Sequence, residues 1–288
     1  MWSMNGTPSN MNKMRLLFGV VAATILLLAR LGMAESAEQS RRSSEVLQAF
    51  SYGDVTLTDG PLGAQAQAAR EYFLAIPDDN LLNGFRKRAG LPAPGKPMGG
   101  WYDPEDFAGG HSFGQLVSAL ARTYATTGDA RFKDKVARLV HGFHESFAPD
   151  GFFYSSEKAF KRWGCYTYDK NCIGMRDAYT LTGNEEALVV LKEMTDWAVK
   201  NLPRRNDEWY TLPENLYDCF TLTKDKRYLE MAREYDYSKD YYDAFANGTN
   251  AFTPERHAYR GCSESFCKGF KRRRLRRYKW GVVKRSLS

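Results

Sequence analysis

Five cysteines and four histidines carry most of the nucleophilic, metal-binding and proton-moving capacity of this sequence. Cys165 and Cys172 are seven residues apart, Cys262 and Cys267 are five apart, and Cys219 stands alone between the pairs. There is no CxxC pair, so a zinc site built wholly inside the chain is not expected. The odd number and low density also argue against a disulfide scaffold. His111 follows Gly109-Gly110 at the start of a helical pattern, where its ring can lie beside the free N–H groups of a first turn. A surface histidine is the alternative there. His141 and His144 sit on an amphipathic stretch beside Phe143 and Phe147, the pattern of surface or packing residues. Glu214 follows Pro213 at another helix start, and the helix dipole alone accounts for a carboxylate in that place.

The elements that must hold these groups share one grammar. Three stretches (116–143, 173–199 and 214–245) each carry apolar residues at helical spacing, then Tyr124, Tyr179 or Phe220. A joint follows: Thr127-Gly128-Asp129, Thr182-Gly183-Asn184 or Thr223-Lys224-Asp225. Glycine can take the left-handed conformation that closes one helix, and the next Asp or Asn can cap the following helix. Each stretch therefore predicts a helical hairpin, with Lys224 a modest cost at the glycine position. Recurring hairpins predict a solenoid or closed ring. Ahead of them, Val55 and Leu57 alternate briefly before a helical pattern begins after Asp59-Gly60-Pro61. Residues 88–110 are dense in Pro and Gly and read as a loop between helices, the kind of segment that builds a cleft.

The net charge of +7 does not make this a nucleic-acid-binding protein. Residues 261–288 hold ten Lys/Arg and one Glu, and residues 1–34 hold three Lys/Arg, which leaves 35–260 at −5. The N-terminus reads as a secretory signal over 1–34: Lys13 and Arg15, the apolar run Leu16–Ala29, then Gly32 and Ala34 before a cleavage site. A membrane anchor is the alternative, although the apolar run is short for a span. Met1, Met4, Met11 and Met14 are all candidate starts. The expected layout is a signal peptide at 1–34, a linker at 35–49, a catalytic-type domain at 50–260 and a basic tail at 261–288.

Four stretches in order give the body a family likeness: "LTDGPLGAQAQAAREYFLAIPDDNLLNGFRKRAGLP", "GGHSFGQLVSALARTYATTGD", "YTYDKNCIGMRDAYTLTGN" and "EWYTLPENLYDCFTLTKDKRYLEMA". From about Phe50 to Tyr259 the chain resembles the β-L-arabinofuranosidase-like glycosidases of glycoside hydrolase family 127. The resemblance implies an all-α fold of the (α/α)6-barrel (toroid) type, incomplete in this chain. It also implies hydrolysis of L-arabinofuranosyl or related linkages in plant-type glycans. Similarity to the family's "GH" motif assigns His111 to substrate contact; a second histidine often found four residues on is Gln115 here, which cannot transfer a proton. Asp169 stands where many relatives have histidine and is either a sugar-hydroxyl acceptor or the partner of Lys170. His257, in "RHAY", matches a turn that lines the family's cleft. Trp101, Trp163 and Trp209 fall in interhelical loops, where flat rings can stack on sugars or serve as core. The substrate-binding set expected is therefore Trp101, His111, Asp169 and His257.

For catalysis, the resemblance implies a glutamate acid/base and a zinc-bound cysteine nucleophile, both from a part of the barrel beyond the "HAY" turn. Catalytic residues are thus unassigned here, no metal ligands are expected in this chain, and zinc is expected in full-length relatives. The tail holding Cys262 and Cys267 reads as aberrant, out-of-frame sequence rather than a built site; a polyanion- or nucleic-acid-binding tail is the alternative. An incomplete ring would expose apolar faces and self-associate. The rival functions are a non-catalytic carbohydrate-binding module and another (α/α)-ring sugar enzyme, such as a lyase or epimerase.

Overall fold

The computed structural model describes residues 50–103, 109–204, 208–236 and 243–248. The predicted signal, linker, His257 turn and basic tail lie outside the described residues, as do Cys262 and Cys267.

The architecture is all-α, made of successive antiparallel hairpins of the (α/α) type, with no strand among the described residues. Helix α1 (Pro61–Ala75) starts on the proline, whose missing N–H costs nothing in a first turn. Helix α2 (Asp78–Arg88) carries Asp78 and Asp79 in its first turn and Arg86, Lys87 and Arg88 in its last, matching both ends of its dipole. Three hairpins follow: α3 (His111–Thr127) with α4 (Ala130–His144), α5 (Glu157–Thr182) with α6 (Glu185–Asn201), and α7 (Leu212–Thr223) with α8 (Lys226–Glu234). The brief alternation at Val55 and Leu57 forms no strand, and both side chains are exposed. With no partner strand, alternation alone cannot satisfy the backbone.

The joints form as their residues dictate. Gly128 and Gly183 take left-handed φ of 71° each, and Lys224 takes 61° in the same role. Asp129, Asn184 and Asp225 then accept backbone N–H bonds from Arg131, Ala187 and Arg227, each at 3.0 Å. Ser156 caps α5 likewise, accepting from Ala159 N at 3.0 Å.

The core lies between the hairpins. Phe85, Phe113 and Phe143 bring α2, α3 and α4 together edge to face, with ring centroids 4.9–5.2 Å apart. Phe152, Tyr154, Phe160 and Trp197 form a second aromatic knot under α6. The most extensive contact joins α3 and α5. Their backbones touch: a Cβ on Gly114 would stand 2.2 Å from the Lys170 carbonyl oxygen, and one on Gly174 2.6 Å from that of Gly114. Helix α5 is broken at Trp163 (φ −139°, ψ 40°), so its second, straight part begins at Gly164. Consequently α3, the second part of α5, and α7 run in the same direction, and their starts lie at the end opposite the tight joints.

Candidate functional site

Three of the four expected residues fall at this end. Trp101 lies in a 3-10 turn (Gly100–Tyr102) and is 62 % exposed. Its ring centroid is 5.6 Å from that of His111, which is the first residue of α3 and wholly buried. The His111 ring in turn lies 5.2 Å from the ring of Tyr166 on α5. His111 therefore sits between two rings tilted to it by 53° and 40°, not on an open cleft wall. Ser112 Oγ is 3.2 Å from its Nε2, and the Tyr102 hydroxyl donates to Ser112 O at 3.2 Å, tying the 3-10 turn to the helix start. Gly110, at φ 92°, makes the turn into α3, and its carbonyl accepts from Asn171 Nδ2 at 3.3 Å. His257 lies outside the described residues.

Asp169 is fully buried. Its Oδ2 accepts from Lys170 Nζ at 2.7 Å and its Oδ1 from Asn215 Nδ2 on α7 at 2.5 Å. Of the two roles the sequence left open, the structure shows the ion pair with Lys170. Both carboxylate oxygens are engaged, and what Asp169 presents to its surroundings is the Lys170 ammonium. That ammonium also sits 4.8 Å over the Tyr166 ring. Burial alone would lower its pKa, but Asp169 outweighs burial and raises it, so the amine stays charged.

The network continues inward. Arg176 Nη1 donates to Asn215 Oδ1 at 3.2 Å and to Asp218 Oδ2 at 2.5 Å. Arg176 also pairs with Asp177, which accepts from Ser118 Oγ at 2.6 Å and Arg122 Nε at 2.7 Å. A continuous polar chain thus links α3, α5 and α7 behind the aromatic cluster. Glu214, half-buried in the first turn of α7, has its carboxyl pushed up by burial and by the charges of Asp218 and Asp169. The Tyr166 phenol is likewise raised by burial, and it hydrogen-bonds Gln115.

The sequence reading did not single out Tyr166 or Asn215. The i, i+4 spacing of Tyr166 and Lys170 was available as a signal that both share one face of α5. Asn215 carried none, because its partner is 46 residues away. Trp209 packs beside Tyr210 and Tyr235 against the core. His141 and His144 are surface residues as expected, paired with Glu186 and Glu193 across α4 and α6.

The described cysteines do not make a zinc thiolate set. Cys165, Cys172 and Cys219 are wholly buried, and Cys165 donates to Pro203 O. Burial pushes the Cys219 thiol up to about 12 and that of Cys172 well above its ordinary value. Among the described residues no group of three or more His, Cys, Asp and Glu is placed to hold a metal ion.

Comparison with known proteins gives three results. The sequence matches the model of the β-L-arabinofuranosidase GH127 catalytic domain over residues 54–264. Curated protein sequences give no match. Solved structures similar to this chain include a GH127 β-arabinofuranosidase (18 % identity, TM-score 0.49) and a GH127 β-L-arabinofuranosidase from Geobacillus stearothermophilus T6 (15 % identity, TM-score 0.44). The matches cover 66 % and 68 % of this chain, which spans about a third of each relative, 34 % and 33 %. Because the family model takes in most of the sequence, from the turn before α1 to beyond the last described residue, the chain belongs to the GH127 catalytic-domain family.

Proposed function

We propose that this chain recognises a carbohydrate through the end of the hairpins where α3, α5 and α7 begin, as part of a glycosidase that hydrolyses L-arabinofuranosyl or related linkages. The observation that carries this is the aromatic cluster of Trp101, His111 and Tyr166. An exposed indole is held against a buried imidazole, with polar groups fixed beside it. A flat apolar ring bordered by rigid hydrogen-bonding groups suits the face of a sugar and its rim of hydroxyls. Membership of a β-L-arabinofuranosidase family supplies the chemical class and suggests the arabinofuranoside.

A second reading is a binding module without turnover, which the same aromatic cluster would serve. Secretion, directed by residues 1–34, and zinc in longer relatives belong to the proposal as well. So does self-association, which the exposed Leu62, Tyr72 and Phe73 of α1 support.

The test is titration of the protein with methyl β-L-arabinofuranoside, followed by tryptophan fluorescence and calorimetry, alongside hydrolysis of an aryl β-L-arabinofuranoside. Saturable binding that Trp101→Ala weakens several-fold is expected, with little or no hydrolysis. Equal affinity in the variant removes the cluster as the binding surface. Turnover matching an intact relative rules out the module reading.

A further inference from the structure

We infer that Lys170 is the polar contact for the sugar at this site, with Asp169 and Asn215 as its positioning residues. This deepens the carbohydrate reading above and rests on it.

The argument starts from donor capacity. An ammonium carries three N–H groups. Among the described residues Lys170 Nζ makes one hydrogen bond, to Asp169 Oδ2 at 2.7 Å. Its side chain is 13 % exposed, so the remaining donors are mostly withdrawn from solvent. A buried charge with spare donors is costly unless something else completes its shell. Part of that shell is the Tyr166 ring face at 4.8 Å, which also belongs to the cluster with His111 and Trp101. The ammonium is thus held beside an aromatic cluster whose outer member, Trp101, is exposed.

Its position is fixed from behind. Asp169 is itself held by Asn215, and Asn215 accepts from Arg176, so α5 and α7 together set where the ammonium lies. Each carboxylate oxygen already accepts one hydrogen bond within the protein. The negative charges acting on Lys170 are those of Asp169 and Glu208, while the Tyr166 phenol beside it is neutral, its pKa raised by burial. A cation amid this negative field attracts neutral oxygen acceptors, such as sugar hydroxyl or ring oxygens, without needing an acidic ligand.

Removing Lys170 alone would strand a buried carboxylate, so the test is the paired variant Asp169→Asn with Lys170→Met, which removes both charges together. Binding of methyl β-L-arabinofuranoside is measured by calorimetry in this variant, in Trp101→Ala and in the unaltered protein. The expected result is affinity weakened at least about tenfold in the paired variant with its melting temperature near that of the parent. Parent-like affinity in a folded paired variant, while Trp101→Ala weakens binding, overturns the Lys170 assignment and leaves the aromatic cluster standing. Absence of any binding in the parent overturns both. A second measurement uses the unaltered protein: reductive methylation of Lys170, followed by peptide mass, is expected to slow at least about tenfold in saturating sugar. An unchanged labelling rate with bound sugar overturns the assignment even if the paired variant does not fold.

Discussion

Replacing Gly114 with alanine tests the close approach of α3 and α5 most directly. In an exposed helix the change would stabilise by about 1 kcal/mol, because alanine loses less backbone freedom on folding. Here the new Cβ would stand 2.2 Å from the Lys170 carbonyl oxygen, 2.5 Å from its carbon and 2.6 Å from Asn171 Cα. Ordinary contact begins near 3.4 Å, so the two backbones must separate by about 1.2 Å. A gap of that size forfeits a quarter to a half of the dispersion energy along the interface. Backbone cannot rotate away as a side-chain end can. The overpacking cost, about 3 kcal/mol or more, exceeds the propensity gain. We expect a net loss of about 2–3 kcal/mol, or roughly 4–10 °C in melting temperature. The assay is urea unfolding followed by circular dichroism, with Gly142→Ala as comparison. The added Cβ there meets Leu82 Cδ1 at 2.4 Å, a group that can turn aside, so the loss should be smaller. A Gly114→Ala protein as stable as its parent would show that the helices do not cross as described.

Lys224→Gly is expected to stabilise by about 0.5–1 kcal/mol, since it relieves a left-handed lysine at φ 61°; an unchanged or lower denaturation midpoint refutes that. The α4–α6 contact should depend on pH. On His144, burial pulls the pKa down but hydrogen bonds to Glu186 and Glu193 outweigh it and raise it above 6.5. On Glu186, burial pulls upward but hydrogen bonds from His144 and His141 outweigh it and hold it below 4.5. The histidine contribution is complete below pH 6.5 and is lost as pH rises through the raised value. The glutamate contribution is complete above pH 4.5 and is lost as pH falls through the lowered one. Stability from this contact should therefore peak between those limits, and His144→Gln should flatten the alkaline side of a melting-temperature profile. An unaltered profile would count against the pairing.

What could be read from the sequence was what is decided locally. The joints at Gly128, Gly183 and Lys224 were legible because capping chemistry acts over three or four residues, and each formed as its residue types required. Trp101 and His111 were each legible as candidates, but not as neighbours, because the loop between them has no periodic pattern to set its path. The pairing of Asp169 with Asn215 was hidden for a simpler reason. It depends on how α5 and α7 pack, and no local rule links residues 46 apart. Gly114 and Gly174 carry no local signal of a crossing, and their missing side chains are what let α3 and α5 meet. The break at Trp163 had one faint signal, the adjacent Gly164, yet it decides that Tyr166 sits near a helix start.

The two kinds of connection between helices have unequal freedom to change. At one end, α3, α5 and α7 turn back within two residues, and each turn depends on one left-handed residue and one capping side chain. An insertion there would break a cap and shift the register of a packed hairpin. At the other end the chain runs through 89–110, 145–156 and 202–211 before the next helix begins. Loop closure grows only slowly more costly with length, so these segments can lengthen or change composition while the hairpins beneath stay put. Divergence in ligand preference among proteins built this way is therefore expected to be written into those three segments, with the turned ends acting as the fixed chassis.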